Sequence, residues 1–301
     1  MTPAFASVSS GRRAALVVGV ANGRSLGWAA ARSLLSRGYD VAVTYQSDRF
    51  RKGVEALVQA EDEALRSAGT AADGGGGGPS IDCVPCDVSC DDSVRALFAE
   101  RLPALWEVGT GRPRRLDALV HSVAHASADA MKDGTLLSTE RGDFSAAHDI
   151  SAYSLLLLAR HGLPLLSAGG ASAPSCASSS SITALTYLGS TRAVPNYNVM
   201  GPAKASLEAI VRGLALELGV DAHRVRANAV SAGPVGTLAA RGIRGFTDMR
   251  AEAEARSAIG RNVTAEEVAE AVAFLAGAEG ITGQILFVDG GYSAVAGPVV
   301  R

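Results

Sequence analysis

The sequence is poor in aromatic residues and has no long apolar run. Phe, Trp and Tyr make up 5% of its 301 residues, although apolar residues together reach 48%. A core built from Val, Leu and Ala suits an α/β protein better than a β-sandwich, and so high an apolar content excludes global disorder. No stretch approaches the roughly 18 consecutive apolar residues of a membrane-spanning helix. We therefore expect a folded chain with no membrane span.

The sequence also has no large excess of positive or negative charge. Lys and Arg total 28 against 30 Asp and Glu, which gives a formal net charge of −2. This balance provides no electrostatic basis for binding nucleic acid or an anionic membrane surface. The amino terminus has no apolar segment typical of a secretory signal. We expect a soluble intracellular protein of the cytoplasm, with a mitochondrial or other organellar matrix as the alternative if the flexible residues 1–12 are a targeting segment.

Cysteine is scarce as well. The four cysteines are Cys83, Cys86, Cys90 and Cys176, and the first three are close in sequence. A structural zinc site needs four nitrogen or sulfur ligands, and no histidine lies near this group. We predict reduced thiols and no metal site, which fits an intracellular compartment.

Glycine is abundant, with 34 residues, and part of the excess falls in two segments. Residues 67–80 and 167–180 are rich in Gly, Ser, Ala and Pro, and each lies between a predicted helix and the next strand. Insertions at such places cost little loop entropy. We interpret both as flexible surface loops without a function of their own.

Short apolar runs rich in β-branched residues alternate with longer helical patterns. The predicted strands cover 14–18, 41–45, 81–84, 116–122, 182–186, 225–231 and 284–288. The predicted helices cover 25–36, 48–67, 92–104, 141–166, 200–218 and 264–276. Strands that are apolar on both faces and connected through helices indicate a parallel sheet. The prediction is one Rossmann-like, doubly wound α/β domain over 13–301, with a seven-stranded parallel sheet and helices on both faces.

The turn after the first strand is rich in small residues. Gly19, Gly23 and Gly27 recur at four-residue spacing, and Ser25 lies where a hydroxyl can reach a phosphate. Glycine allows the backbone to approach a dinucleotide pyrophosphate, and the amino terminus of the following helix favours an anion. The spacing differs from G-x-G-x-x-G, so an ordinary strand-to-helix turn stays an alternative.

Three further strand ends fit a dinucleotide. Gln46 follows the second strand, where an acidic residue favours NAD and a basic one NADP. A neutral glutamine favours NADH, although Arg49, Arg51 and Lys52 nearby leave NADPH open. The next two strand ends place Asp87 and Val88 at the adenine, and Ser122 and Val123 at the nicotinamide ribose.

Tyr197 and Lys204 are seven residues apart. Seven residues of helix make two turns less roughly 20°, so both side chains are predicted to share one face. A nearby cation lowers the pKa of a phenol, and such a tyrosine can donate a hydrogen bond to a substrate oxygen as charge develops there. A half-buried tyrosine and a surface lysine are the alternative.

In these and other segments the chain resembles the enoyl-acyl-carrier-protein reductases, a divergent branch of the short-chain dehydrogenase/reductases. The segment TYLGSTRAVPNYNVMGPAKASLEA (186–209) has Tyr–x6–Lys spacing, whereas ordinary members of that superfamily have Tyr–x3–Lys. The likeness continues in VHSVAHA (120–126), AHDISAYS (147–154), RANAVSAGPVGTLAARGI (226–243) and GQILFVDGGYS (283–293). It extends from Arg13 to Ser293.

This resemblance implies an NADH-dependent enzyme that reduces the C2=C3 bond of trans-2-enoyl thioesters, carried by acyl carrier protein or coenzyme A, in type II fatty-acid elongation. Tyr197 would hydrogen-bond the thioester carbonyl, Lys204 would hold the nicotinamide ribose, and Tyr187 would line the acyl site. A homotetramer and a mobile lid over about 237–257 are also implied. The matching cofactor positions are Gly19, Ser25, Leu26, Gln46, Asp87, Val88, Val123, Lys204, Val235, Gly236, Thr237, Leu238 and Ala239, and Ala126 matches a substrate contact.

Two other functions are weighed against this one. A carbonyl reductase of the same superfamily lacks support because the Tyr–x3–Lys spacing is missing. A dinucleotide-binding scaffold without turnover is expected to have lost Tyr197 or Lys204, and both are present. Pro202 lies between them, and it would disturb their geometry unless it falls in the first turn of the helix.

Overall fold

The computed structural model describes residues 12–69, 78–106, 114–132, 136–167, 179–220, 223–238 and 240–296. Some predictions concern residues outside these ranges. They are the predictions for residues 1–11, for most of the two Gly/Ser-rich segments (70–77 and 168–178) and for Ala239.

The core of the fold is a parallel sheet of seven strands in the order β3-β2-β1-β4-β5-β6-β7. All six strand pairings are parallel. The strands are β1 (Ala14–Val18), β2 (Asp40–Tyr45), β3 (Ile81–Pro85), β4 (Ala118–His121), β5 (Ser180–Thr186), β6 (Val225–Ala232) and β7 (Ile285–Val288). Every residue of β1, β2, β4, β5 and β6 is buried. This explains the mostly apolar sequences of β1 and β4, whereas β5 and β6 also bury polar residues such as Thr183 and Asn228.

Helices cover both faces of the sheet, as predicted. They are α1 (Leu26–Ser36), α2 (Asp48–Gly69), α3 (Asp91–Ala96), α4 (Leu102–Leu105), α5 (Ala128–Lys132), α6 (Arg141–His148), α7 (Ser154–Leu166), α8 (Met200–Leu218), α9 (Phe246–Arg256) and α10 (Ala265–Gly277). On one face Leu155 and Leu207 pack in a core formed with α3, α7 and α8. On the other, Trp28 and Val272 belong to a core formed with α1, α2 and α10.

Two predicted helices are not regular throughout. A π turn, Leu97–Arg101, separates α3 from α4, and a second π turn, Asp149–Tyr153, separates α6 from α7. The ranges 92–104 and 141–166 are thus helical throughout, as predicted, but not uniformly α-helical. The π turns were not predicted because a π turn inserts one extra residue without changing the apolar composition. The short α5 and α9, which falls in the predicted lid region, were not predicted as helices, and β4 is shorter than predicted.

Strand β1 lies between β2 and β4, so the chain crosses over to both sides of it. Ligands of open α/β sheets bind outside the carboxyl ends of the strands at such a switch point. In the described ranges no group of three or more His, Cys, Asp or Glu side chains is placed to hold a metal ion. None of the helices described has the length and apolar character needed to cross a bilayer.

Candidate active site

The turn between β1 and α1 passes very close to the end of β4. Gly19 has a φ of +99°, and its N–H donates to Thr44 Oγ1 at 3.1 Å. A Cβ at this position would overlap the carbonyl oxygen of Ser122 and lie 2.9 Å from Val123 Cγ2. Both the conformation and the space therefore require glycine, and the packing brings three of the predicted cofactor positions together.

The amino terminus of α1 is fixed by its own side chains. Ser25 Oγ accepts from Trp28 N–H at 3.2 Å and donates to the carbonyl of Asn22 at 2.7 Å. Asn22 Oδ1 in turn accepts from Arg24 N–H at 2.9 Å. A helix amino terminus next to a close-packed glycine turn fits a pyrophosphate, because its N–H groups and dipole favour an anion.

The ends of β2 and β3 carry neutral and charged polar groups. Gln46 is exposed and neutral, whereas Arg51 is held by Glu55 through a 2.7 Å ion pair one helical turn away. The carboxylate of Asp87 accepts from the N–H and the hydroxyl of Ser89 at 3.0 and 2.7 Å. The neutral Gln46 and the carboxylate of Asp87 therefore lie at the region predicted for adenosine, with the exposed Arg49 and Lys52 nearby in sequence.

Tyr187 and Tyr197 form the centre of the site. Their ring centroids are 4.9 Å apart in an edge-to-face arrangement with an interplanar angle of 66°. Gly189 makes this packing possible, because a Cβ there would overlap the ring of Tyr197. Ala126 packs in the same apolar cluster, so the three predicted substrate contacts converge.

Two expectations for Tyr197 were wrong. Helix α8 begins at Met200, so Tyr197 precedes the helix, between Asn196 and Asn198, which both have positive φ. Burial, and secondarily the neighbouring Tyr187, raises the pKa of Tyr197 instead of lowering it. Burial, which the sequence could not show, is the larger cause, and the phenol remains a protonated hydrogen-bond donor over the physiological pH range.

Lys204 is buried, with 4% of its surface exposed, contrary to a surface position. Its Nζ donates to the carbonyl of Leu185 at 2.8 Å, at the carboxyl end of β5. Burial lowers the pKa of Lys204 to about 8, against the opposing effect of Glu208. Pro202 falls in the first turn of α8, where a missing N–H is tolerated. It therefore meets the condition under which it does not disturb the geometry of Tyr197 and Lys204.

The predicted lid region contacts the tyrosine pair through Met249. The hydroxyl of Tyr187 lies 3.4 Å from Met249 Sδ on α9. Next to this contact, residues 188–196, α9 and residues 292–296 enclose a cavity of about 510 Å³. Arg256 anchors the end of α9, since its guanidinium lies 4.8 Å from the ring centre of Tyr292 and donates to the carbonyl of Val295 at 3.2 Å.

Comparison with known proteins decides the family. A model of the family "Enoyl-(Acyl carrier protein) reductase" matches residues 19–293. The chain belongs to the enoyl-(acyl carrier protein) reductase family. It is 40% identical over 283 residues to the enoyl-(acyl carrier protein) reductase (NADH) of Nostoc sp.. The aligned region covers 92% of this chain and 95% of the relative.

Solved structures of reductases agree with this assignment. The enzyme from Aquifex aeolicus superposes with a TM-score of 0.78 at 35% identity, covering 95% of this chain and 98% of that one. The Bacillus cereus reductase, solved with NADP⁺ and an indole naphthyridinone, gives a TM-score of 0.78 at 36% identity, with coverage of 94% and 97%. The predicted family and the α/β fold class are confirmed.

The reductase fold brings the predicted residues together in two groups. Gly19, Ser122 and Val123 meet below the β1–α1 turn, and Ala126, Tyr187 and Tyr197 meet beside α8. The other predicted cofactor positions lie at or just beyond the carboxyl ends of strands, or at the start of α1; they are Ser25, Leu26, Gln46, Asp87, Val88, Val235, Gly236, Thr237 and Leu238. Their roles stay predictions.

Sequence reasoning missed several residues of this reductase site. Met249 and Gly189 contact the tyrosines. Ser151 hydrogen-bonds the segment that follows β4, and Ser154 hydrogen-bonds His121, the last residue of β4. No spacing rule indicates a methionine in a lid or a serine in a π turn. A histidine at the end of an apolar strand, His121, was the one available signal of a buried polar cluster.

Proposed function

We propose that this chain reduces the C2=C3 double bond of trans-2-enoyl thioesters, carried by acyl carrier protein, with NADH in type II fatty-acid elongation. The observation that carries the proposal is the buried Tyr187–Tyr197 pair, close in sequence to the buried Lys204, in a chain of the enoyl-(acyl carrier protein) reductase family. The matched relatives include reductases named for NADH.

Residues at the carboxyl edge of the sheet fit the nicotinamide cofactor. The turn from Gly19 to Ser25 would bind the pyrophosphate, Gln46 the adenine ribose and Lys204 the nicotinamide ribose. When bound, NADH supplies the hydride of the reaction. NADH is favoured over NADPH because Gln46 is neutral and Glu55 pairs with Arg51, although NADP⁺ is present in the Bacillus cereus structure.

Tyr197 acts on the substrate oxygen in this proposal. Because burial keeps its phenol protonated, it donates a hydrogen bond to the thioester carbonyl. That bond strengthens as negative charge reaches the oxygen while C3 receives the hydride. Tyr187 orients the ring of Tyr197 by edge-to-face packing and borders the lid helix through Met249.

The experiment follows the absorbance of NADH with crotonyl and longer trans-2-enoyl thioesters, and then repeats the series with NADPH. Tyr197→Phe keeps the ring packing and removes the hydroxyl. We expect it to lower kcat/KM roughly 10²- to 10³-fold, the usual cost of removing one donor to a developing oxyanion. Enoyl-dependent oxidation that is equally fast in the variant would contradict the role of Tyr197.

We also propose a homotetramer. Strand β7 pairs only with β6 among the described strands, and its Phe287 is 41% exposed. Leu216 on α8 and Phe274 on α10 are 78% and 50% exposed, and both helices pack near that edge. Open sheet edges with apolar side chains are suited to association.

A charge on β7 tests the assembly. Phe287→Lys is expected to produce smaller species in native mass spectrometry, because a lysine at an edge opposes pairing. Leu137→Lys is the control, since Leu137 is 97% exposed in the short 3-10 turn Leu136–Ser138, which is not part of the sheet. A wild type that is monomeric at micromolar concentration would contradict the proposal.

We also propose that the protein is located in the cytoplasm. Cys83, Cys86 and Cys90 are free thiols, as suits a reducing compartment. Burial raises the pKa of Cys86 to about 12, which keeps that thiol protonated.

A further inference from the structure

The segment 122–127 follows β4 and carries Ser122, Val123 and Ala126, which are predicted to contact cofactor and substrate. Its first residue is anchored to the sheet, because Ser122 N–H donates to the carbonyl of Val18 at 2.9 Å. Its last residue immediately precedes α5, where Ser127 Oγ accepts from Ala130 N–H at 3.1 Å.

The middle of this segment is held by one hydroxyl from another element. His125 N–H donates to Ser151 Oγ at 2.9 Å, and Ser151 Oγ donates to the carbonyl of His125 at 3.1 Å. Ser151 is completely buried, whereas His125 itself is exposed. A single buried serine thus satisfies both backbone polar groups of a loop residue.

Ser151 lies in the second π turn, Asp149–Tyr153. Such turns are rare and frequently occur at functional sites. Immediately after this turn Ser154 Oγ lies 2.8 Å from His121 Nε2 and donates to the carbonyl of Ile150 at 2.7 Å. This helical region therefore contacts the chain both at the end of β4 and in the middle of segment 122–127.

The same serine lies next to the start of α8. Ser151 Oγ is 4.0 Å from the sulfur of Met200, the first residue of that helix. Ala126, one residue beyond His125, packs in one apolar cluster with Tyr187, Tyr197 and Met200. A shift of His125 would therefore move Ala126 relative to Tyr197, the residue proposed to donate a hydrogen bond to the substrate oxygen.

We propose that Ser151 is a positioning residue for enoyl reduction: by holding the backbone of His125, it fixes Ala126 against the substrate opposite Tyr197. This inference rests on the proposed function. Ser122 has its own anchor on β1, so the effect is expected to fall on the enoyl thioester more than on the cofactor.

Ser151→Ala tests the inference. We expect kcat/KM for the enoyl thioester to fall roughly ten- to hundredfold, because small displacements in an active site are costly. The Kd for NADH, measured by fluorescence without substrate, is expected to stay close to the wild-type value. Ser151→Thr keeps the hydroxyl and should recover much of the lost kcat/KM.

Ser180→Ala is the matched control. Ser180 is 1% exposed, and its hydroxyl contacts the carbonyls of Leu116 and Leu166 at 2.9 and 2.7 Å, at the amino end of β5. We expect Ser180→Ala to lower Tm, as Ser151→Ala should, because each variant loses a buried hydroxyl. Unlike Ser151→Ala, it should leave kcat/KM for the enoyl thioester unchanged. Amide hydrogen exchange should be faster at His125 in Ser151→Ala only.

Three results would overturn the inference. One is a Ser151→Ala enzyme with the wild-type kcat/KM, and another is a loss of activity that the Ser180→Ala control reproduces. The third is a wild-type His125 amide that exchanges as fast as an unprotected loop, which is measurable even if Ser151→Ala does not fold. An inactive wild type would instead overturn the proposed function, and this inference with it.

Discussion

At the scale of single residues, the buried charge of Lys204 has a measurable cost. The pKa of this lysine falls from 10.5 to about 8 because the ammonium is taken out of water. Between these values the unfolded chain binds one more proton than the folded chain, so the free energy of unfolding rises with pH. The expected rise from this group is up to about 3 kcal/mol.

Lys204→Met should remove this pH dependence. We expect the variant of the cofactor-free protein to show a flatter free energy of unfolding between pH 8 and 9.5 than the wild type, as measured by urea denaturation. The comparison cancels groups common to both proteins, including the buried tyrosines, whose pKa values are raised. Parallel curves for the two proteins would show that the lysine keeps its ordinary pKa.

Gly19 offers a second test at this scale. Gly19→Ala introduces a Cβ that overlaps the Ser122 carbonyl, so the turn must move away from the place predicted for the pyrophosphate. Gly38→Ala is the control, because Gly38 also has a positive φ, +79°, but open space around it. We expect both variants to lose stability and only Gly19→Ala to lose NADH affinity, measured by fluorescence. Equal affinities would exclude the turn from the cofactor site.

At the scale of elements, the start of α8 decides whether Pro202 matters. The helix begins at Met200, so the proline replaces an N–H that has no partner within the helix. Pro202→Ala should therefore leave both kcat/KM and Tm nearly unchanged. A large gain in either would mean that the proline strains the helix and the tyrosine before it.

The sequence predicted the regular elements well. All seven strands were recognised from short runs rich in apolar and β-branched residues, and helix α8 was recognised from its regular apolar period. The two π turns were missed because one extra helical residue leaves composition and spacing almost unchanged. For the same reason the role of Ser151 could not be found before the chain was folded.

At the scale of the whole molecule, the fold follows from local patterns but the electrostatics of the site do not. The Tyr–x6–Lys spacing located Tyr197 and Lys204, yet it implied one continuous helix and a lowered tyrosine pKa. Tyr197 is buried among α5, α6, the start of α8 and Tyr187, and this burial raises its pKa. Such burial depends on contacts among segments far apart in sequence. The predicted domain limits and the lid motion remain predictions.

The most direct test of the account is the position of the transferred hydrogen. NADH deuterated at C4, on the face that is transferred, is reacted with crotonyl thioester, and the product is analysed by mass spectrometry and NMR. The account predicts a saturated thioester with one deuterium at C3 and a solvent hydrogen at C2. Deuterium at a carbonyl carbon, or NADH binding without any transfer, would contradict it.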